Sequence, residues 1–249
     1  MRSVEVVPVP GIPEVGGGQD LGKLILGSLR SSGLDPQKGD IIVVKQKVVS
    51  KAEGRVVALS KVVPGKDAAK LALKEGKDPR LVELILKESK RVVRSGHGVI
   101  ITETKHGFVC ANSGVDQSNV GVGFAALLPV DPDGSALKIL RTLERGTGKS
   151  LAVIITDTFG RPWRRGQTDV AIGCAGMAPT FSYRGRSDKY GYGLRVTEPA
   201  IADEVAGAAE LVLGKLTDTP VAIVRGVKYV RSNVGARSIA IAPEKDLFR

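Results

Sequence analysis

Asp157 stands at the end of an apolar run, Leu151 to Ile155, flanked by the hydroxyls of Thr156 and Thr158 and followed closely by Arg161, Arg164 and Arg165. The run is short and rich in Val and Ile, so it reads as a buried strand. In α/β proteins such strands present chemistry at their carboxyl ends. An acid, two hydroxyls and three guanidinium groups in that place suit a metal ion and a polyphosphate better than they suit packing. A second acid, Asp116, lies in the polar stretch NSGVDQSN, Asn112 to Asn119. Alone, that stretch would be a surface turn. Paired with Asp157 it completes an oxygen-rich set of the kind Mg²⁺ or Mn²⁺ prefers; such ions keep several waters and bridge to substrate phosphates.

Two further constellations could serve the same chemistry. Lys45, Gln46, Lys47, Ser50 and Lys51 surround a strand end. Lysines there neutralise phosphates as point charges, although a solvated sheet edge carries the same residues. Tyr183 to Gly191, with Arg184 and Arg186, fits a lid that stacks on a ring and forks onto a carboxylate or phosphate. An ordinary surface loop, or an RNA-binding loop, would use the same residue types. Gly146-Thr147-Gly148-Lys149-Ser150 imitates a P-loop, but position 143 is Leu and the segment leaves a helix instead of entering one, so we read it as a helix stop and turn. His97 and His106 lie in turns without partners for a triad, and no GxSxG, HExxH or GxGxxG is present.

The elements that must hold these residues follow from patterning. Val4 to Val9 is a strand running into a Pro-Gly-Ile-Pro turn. Asp20 caps a helix through Arg30. Ile41 to Val44 is a strand, with Val48-Val49 in its continuation or in a partner strand. Asp78 and Pro79 open a helix carrying Leu81, Leu84, Ile85, Glu88 and Val92, stopped by Gly96-His97-Gly98. Val99 to Thr102 and Phe108 to Ala111 form a hairpin around Lys105-His106-Gly107. Asp133 caps a helix over Ser135 to Arg145, Gly160-Arg161-Pro162 is a turn, Pro199 begins a last helix, and Val221 to Val224 is a strand. The sum is a mixed α/β fold. Any two lobes are interwoven, because no linker divides the chain.

The 249 residues carry 37 Lys and Arg against 26 Asp and Glu, a net charge of +11. That balance favours a polyanionic partner: nucleic acid, an anionic membrane surface or charged small molecules. The charge is spread along the chain, which argues against a nucleic-acid-binding arm. Only Cys110 and Cys174 are present, without zinc spacing, and we expect buried free thiols. No run approaches the ~20 apolar residues that span a bilayer. We expect a cytoplasmic protein with no membrane and no nucleic-acid partner.

Six segments, taken in order, carry a resemblance: Val9 to Pro13, Ser50 to Arg55, Gly114 to Val120, Pro129 to Ser135, Ile155 to Arg161 and Val224 to Gly226. Together they resemble the coenzyme F420-0:L-glutamate ligase family, the GTP-dependent γ-glutamyl ligases of deazaflavin coenzyme biosynthesis. The resemblance runs from about Val4 to Gly226. It implies a mixed α/β fold of two interwoven lobes with mixed sheets and an interlocking homodimer. It also implies the stand-alone form, a single ligase domain without the C-terminal nitroreductase-like domain of some bacterial members. The implied reaction phosphorylates the lactyl carboxylate of F420-0 with GTP, and L-glutamate attacks the acyl phosphate to form an amide; further γ-linked glutamates are added by some members. Carried onto this chain, the resemblance makes Asp116 and Asp157 ligands of one divalent ion, Mg²⁺ or Mn²⁺, and Thr158 a ligand of a second. It places Gly11, Ile12, Pro13, Glu14, Gln46, Lys47, Lys51 and Asn119 around GTP, and it associates K⁺ with the enzyme. Arg161, Arg164, Arg165, Arg184 and Arg186 are our candidates for holding F420-0 or the transferred phosphoryl group, with Arg161 and Arg165 foremost. One departure stands out: Lys215 lies where an acid or amide ligand is expected, and a charged lysine cannot ligate. The segment after Tyr229 matches nothing in the family pattern. The alternatives are a related metal-dependent amide or phosphoryl transferase with another acceptor, and an RNA-binding module.

Overall fold

A computed structural model describes residues 3–247. In chain order they form strand β1 (Glu5–Pro8), helix α1 (Leu21–Ser31), β2 (Ile41–Lys45), α2 (Gln46–Ala52), β3 (Val56–Ala58), α3 (Lys66–Glu75), α4 (Pro79–Glu88), β4 (Ser89–Gly96), β5 (Val99–Thr104), β6 (Val109–Ala111), β7 (Phe124–Ala126), α5 (Pro132–Thr147), β8 (Ala152–Arg161), β9 (Arg164–Ala175), α6 (Ile201–Leu213) and β10 (Val221–Arg225), with short 3-10 turns between some of them. The class is mixed α/β, as the patterning implies.

The main sheet has the order β1-β10-β2-β8-β9. Its central strands are apolar on both faces, as a sheet covered by helices on each side requires. Val153 and Ile155 of β8 face a core shared with Ile25 and Leu29 of α1 and Ile139, Leu140 and Leu143 of α5. Ala152 and Ile154 face a second core with Ala202, Val205, Ala206 and Ala209 of α6. The small residues of α6 let that helix lie close to the sheet. Among the described residues only β2 and β8 run parallel, from Ile41 beside Ala152 to Lys45 beside Thr156. Their carboxyl ends therefore emerge side by side. Gly173 of β9 packs under the start of α5, where an added Cβ would lie 2.5 Å from the Pro132 carbonyl oxygen.

Between α2 and α5 the chain leaves this sheet and builds a second unit. The pair β3-β7 and the sheet β4-β5-β6 combine with α3 and α4 around their own core of Leu59, Val82, Ile85, Ile100, Ala125 and Leu127. The chain then returns to the main sheet, so the larger lobe is discontinuous in sequence.

Four local expectations are corrected. Val48 and Val49 lie in α2, not in a strand. Burial of Gln46, Val49 and Ser50 on one helical face outweighs the modest helix cost of β-branched residues. The helix from Pro79 ends at Glu88, and Val92 belongs to β4. Gly96 to Gly98 is then the turn into β5, with His97 in the left-handed region at φ 52. Asp133 does not cap α5, which starts at Pro132 and closes on Gly148 at φ 69; its carboxylate instead accepts from the backbone N–H groups of Cys174 and Ala236, each at 2.8 Å. The β8–β9 hairpin turns at Pro162-Trp163, with Arg161 still paired to Arg164. Cys110 and Cys174 are free and buried, and burial pushes each thiol up to about 12. Among the described residues no helix is long and apolar enough to cross a membrane.

Candidate active site

The carboxyl ends of β2 and β8 open onto a cavity of about 440 Å³. Lys45 is the last residue of β2, and α2 starts directly at Gln46. This abrupt switch from strand to helix buries Gln46, whose Oε1 accepts from Ser50 Oγ at 2.8 Å one turn on. Lys47 and Lys51, also one turn apart, share a face of α2. Across the cavity, β6 runs into a tight turn at Asn112, Ser113 and Gly114, all at positive φ. Left-handed backbone at Asn112 and Ser113 costs on the order of 1–3 kcal/mol each. The fully buried Ser113 holds it in place: its N–H donates to Thr102 Oγ1 at 3.0 Å and its hydroxyl to the Ile85 carbonyl at 3.0 Å. At Gly114, φ is 69 and Leu128 would lie 2.7 Å from any Cβ, so only glycine fits. This turn delivers Asp116, which bridges to Ala126 through two backbone hydrogen bonds.

Alternation along β8 splits its polar end between two faces. Thr156 and Thr158 point to one side and Asp157 to the other, and all three line the cavity. Asp157 is half-buried, and burial pushes its carboxyl up to about 6. The Thr158 N–H opposes that rise, while the charges of Asp169 and Asp116 reinforce it. Burial would raise Asp116 too, but the Lys47 ammonium and the Ser118 donors outweigh it and hold Asp116 below the usual carboxylate range. Lys47 Nζ donates to Asp116 Oδ2 at 2.6 Å, Ser118 Oγ at 2.6 Å and Ser118 O at 2.8 Å. A positive charge is thus coordinated entirely by oxygen at the Asp116 carboxylate.

On the Thr158 side, Lys45 Nζ donates to Asp169 of β9 at 3.0 Å and is also bonded to Glu210 of α6. Burial lowers the Lys45 ammonium from its usual value, against the pull of Asp169. Lys215 donates to the Thr158 hydroxyl and pairs with Glu210 at 3.7 Å. Lys215 therefore faces the cavity as a cation.

The structure brings Gln46, Lys47, Asp116, Asn119, Asp157 and Thr158 together on one cavity. Glu14 and Lys51 line an adjoining space of about 570 Å³, joined by an ion pair of 2.5 Å. Asn119 borders both spaces. Gly11, Ile12 and Pro13 lie just before Glu14, with the Gly11 carbonyl fixed by Ser28 Oγ at 2.9 Å. Arg161 and Arg165 are not on the cavity: they lie at the tip of the β8–β9 hairpin, where Arg161 Nη2 donates to the Arg165 carbonyl at 2.8 Å. Arg186 stacks over Phe181 and Tyr183, 5.1 and 5.7 Å from the ring centres, within its own loop. Sequence reasoning missed Asp169 and Glu210. Both pair with Lys45, far away in sequence, so the neighbouring residues carry no signal of the contact.

Among the described residues no three His, Cys, Asp or Glu side chains converge as a ready-made metal cage. A small hard cation does not need one, since one or two carboxylates with substrate phosphates and water hold Mg²⁺. The donors fit such an ion: Asp116, Asp157 and the Thr158 hydroxyl offer only oxygen. Asn112 adds a buried side-chain oxygen without a hydrogen-bond partner, on the wall of the same cavity.

Comparison with known proteins gives a consistent result. The F420-0:gamma-glutamyl ligase family matches residues 11–226. The chain is 48% identical over 249 residues to the coenzyme F420:L-glutamate ligase of Methanothermobacter thermautotrophicus, covering 99% of both chains. It is 46% identical over 214 residues to the protein of that name from Methanocaldococcus jannaschii, covering 86% of each. Against the Methanopyrus kandleri protein of the same name the identity is 42% over 254 residues, covering 100% of this chain and 99% of the relative.

Proposed function

The chain belongs to the F420-0:gamma-glutamyl ligase family, and from that premise we propose that it joins L-glutamate to coenzyme F420-0 at the expense of GTP. The γ-phosphoryl group passes to the terminal lactyl carboxylate of F420-0. The glutamate amine then displaces phosphate from the acyl phosphate, leaving an amide, GDP and phosphate. Further γ-linked glutamates can be added by the same chemistry.

The observation that carries this assignment is the oxygen-lined cavity at the parallel ends of β2 and β8, with carboxylates and lysines on facing walls. Phosphoryl transfer requires positioning and charge neutralisation more than a nucleophilic side chain, and the cavity offers those two things. Divalent ions, Mg²⁺ or Mn²⁺, when bound by Asp116 and Asp157 and by Thr158, supply charge stabilisation for the phosphates. Lys47 and Lys215 present ammonium groups to the same phosphates. Glu14, Lys51 and Asn119 line the adjoining space, which has room for the rest of the nucleotide; Gly11, Ile12, Pro13 and Gln46 shape its approaches. The buried Gln46 and Ser113 keep the walls in place. K⁺ belongs to this proposal as a further ion.

A homodimer also belongs to it. Trp163 at the hairpin tip and Tyr190 and Tyr192 in the loop before α6 are 81%, 82% and 71% exposed, on segments that a second copy would cover in such a dimer. Arg161 and Arg165 would then meet the anionic acceptor or the transferred phosphoryl group from the hairpin of a second copy. Unchanged kcat/KM in Arg165→Ala refutes the role given to Arg165.

Mass spectrometry of products tests the whole assignment, with GTP or ATP as donor and F420-0 or glutamate omitted in turn. We expect a product heavier by one or more glutamyl groups, with repeated turnover of GTP to GDP only when F420-0 and glutamate are both present. Nucleotide turnover that ignores F420-0 would instead favour a transferase with another acceptor.

A further inference from the structure

We propose that Asp169 is a positioning residue that makes the Thr158 hydroxyl an acceptor for a cation. The inference rests on the reading of Thr158 as a cation ligand and goes beyond it. Asp169 lies on β9 with its side chain wholly shielded from solvent. Two hydroxyls from one face of β8 reach it: Thr158 Oγ1 donates to Oδ1 at 2.6 Å, and Thr156 Oγ1 donates to Oδ2 at 3.1 Å. Lys45 Nζ holds the same Oδ2 at 3.0 Å.

A hydroxyl has one proton and two lone pairs. With the Thr158 proton committed to the Asp169 carboxylate, only lone pairs remain for the cavity. The contact on that side agrees, because Lys215 has three donors and no acceptor, so Thr158 must accept from it. Both partners of Thr158 therefore demand the same orientation of its hydroxyl. Outer partners that orient a ligand in this way are typically worth about 10–100-fold in cation affinity.

Lys45 makes the substitution Asp169→Asn informative. The Lys45 ammonium needs an acceptor at the Oδ2 position and holds the amide oxygen there, while the Thr156 hydroxyl also has the Val170 carbonyl at 3.1 Å to donate to. The amide nitrogen is then turned onto Thr158 and donates to it, and the Thr158 proton is driven into the cavity, where it repels a cation. Shape is preserved while the polarity of one hydroxyl is reversed.

The test is a Mn²⁺ titration of the full chain, with free Mn²⁺ followed by electron paramagnetic resonance. In the wild-type protein we expect two classes of site. Asp169→Asn should weaken one of them about 10–100-fold and spare the other. Thr158→Val should do the same, and the double variant should be no worse than Thr158→Val alone. Two-site binding that is untouched by Asp169→Asn overturns the role of Asp169 and leaves the cation reading standing. No Mn²⁺ binding by the wild type overturns both. Should Asp169→Asn fail to fold, neutron diffraction of the deuterated wild-type protein decides the matter. A deuterium on Thr158 Oγ1 directed at Asp169 supports the proposal, and one directed into the cavity overturns it.

Discussion

Replacing Asp157 by Asn should stabilise the cation-free protein while abolishing its activity. Asp157 is held with its carboxyl raised from 3.8 to about 6 by burial. At about 1.4 kcal/mol per pH unit, the charged carboxylate costs the folded state roughly 3 kcal/mol at neutral pH. A group whose folded pKa lies above its unfolded value penalises the folded state once the pH exceeds the unfolded value. The cost is therefore absent below about pH 4, grows between pH 4 and pH 6, and is fully present above that window. Asp157→Asn removes the charge and keeps the shape. For a chain of this size, 1 kcal/mol corresponds to ~2–4 °C in Tm, so we expect Asp157→Asn to unfold about 6–12 °C higher than wild type at pH 7.5 in EDTA. At pH 4 the two should coincide. Millimolar Mg²⁺ or Mn²⁺ should raise the wild-type Tm, because an ion that binds only the folded state stabilises it, and should raise that of the variant by less, since only the site at Thr158 remains intact. Thermal unfolding followed by circular dichroism reads all of these. A variant no more stable than wild type at pH 7.5 without cations would refute the argument that Asp157 is an uncompensated charge awaiting an ion.

Lys47→Met should lower kcat/KM for GTP about 10–100-fold, the equivalent of losing one charge-assisted hydrogen bond at ~1.5–3 kcal/mol, with KM for F420-0 little changed in steady-state assays. Arg225→Met should destabilise the fold by about 2–4 kcal/mol in urea unfolding, because it strips the bidentate partner, at 3.0 and 2.8 Å, from the buried Asp40. The double variant Asp40→Asn/Arg225→Met should recover part of that loss. Gly173→Ala should cost at least ~1–3 kcal/mol, since its Cβ would meet the Pro132 carbonyl oxygen at 2.5 Å; a midpoint equal to wild type would show that α5 can shift without penalty.

Much of this was legible in the residues, for physical reasons. Leu151 to Ile155 is apolar at every position, and its shortness and β-branched content favour a strand covered on both faces over a buried helix, so β8 and its polar end could be read directly. Asp116 was visible because glycine and polar residues crowd around it. Val48 and Val49 misled, since their β-propensity says nothing about the core face that α2 must cover. Val92 continued a helical spacing by coincidence, and the strand β4 is fixed by pairing with β5, a contact with no local signature. Asp169 and Glu210 were hidden for the opposite reason. Their burial depends on Lys45, far away in sequence, and no window of neighbouring residues contains that pair. Arg161 and Arg165 looked adjacent to Asp157 along the chain, but an extended hairpin carries them away from it at more than 3 Å per residue.

The two carboxylates proposed to share an ion do not belong to the same part of the molecule. Asp157 is rooted in the main sheet, whereas Asp116 comes from the inserted unit with its own core. An ion or nucleotide held between them binds only when the two units are docked, so by mass action it acts as a rivet across the seam. Occupancy of the site should therefore weld two separately cored halves into one cooperative unit. Protection of amides along the seam, in β3, β7 and the Asn112 turn, would then report ligand binding as directly as product formation does.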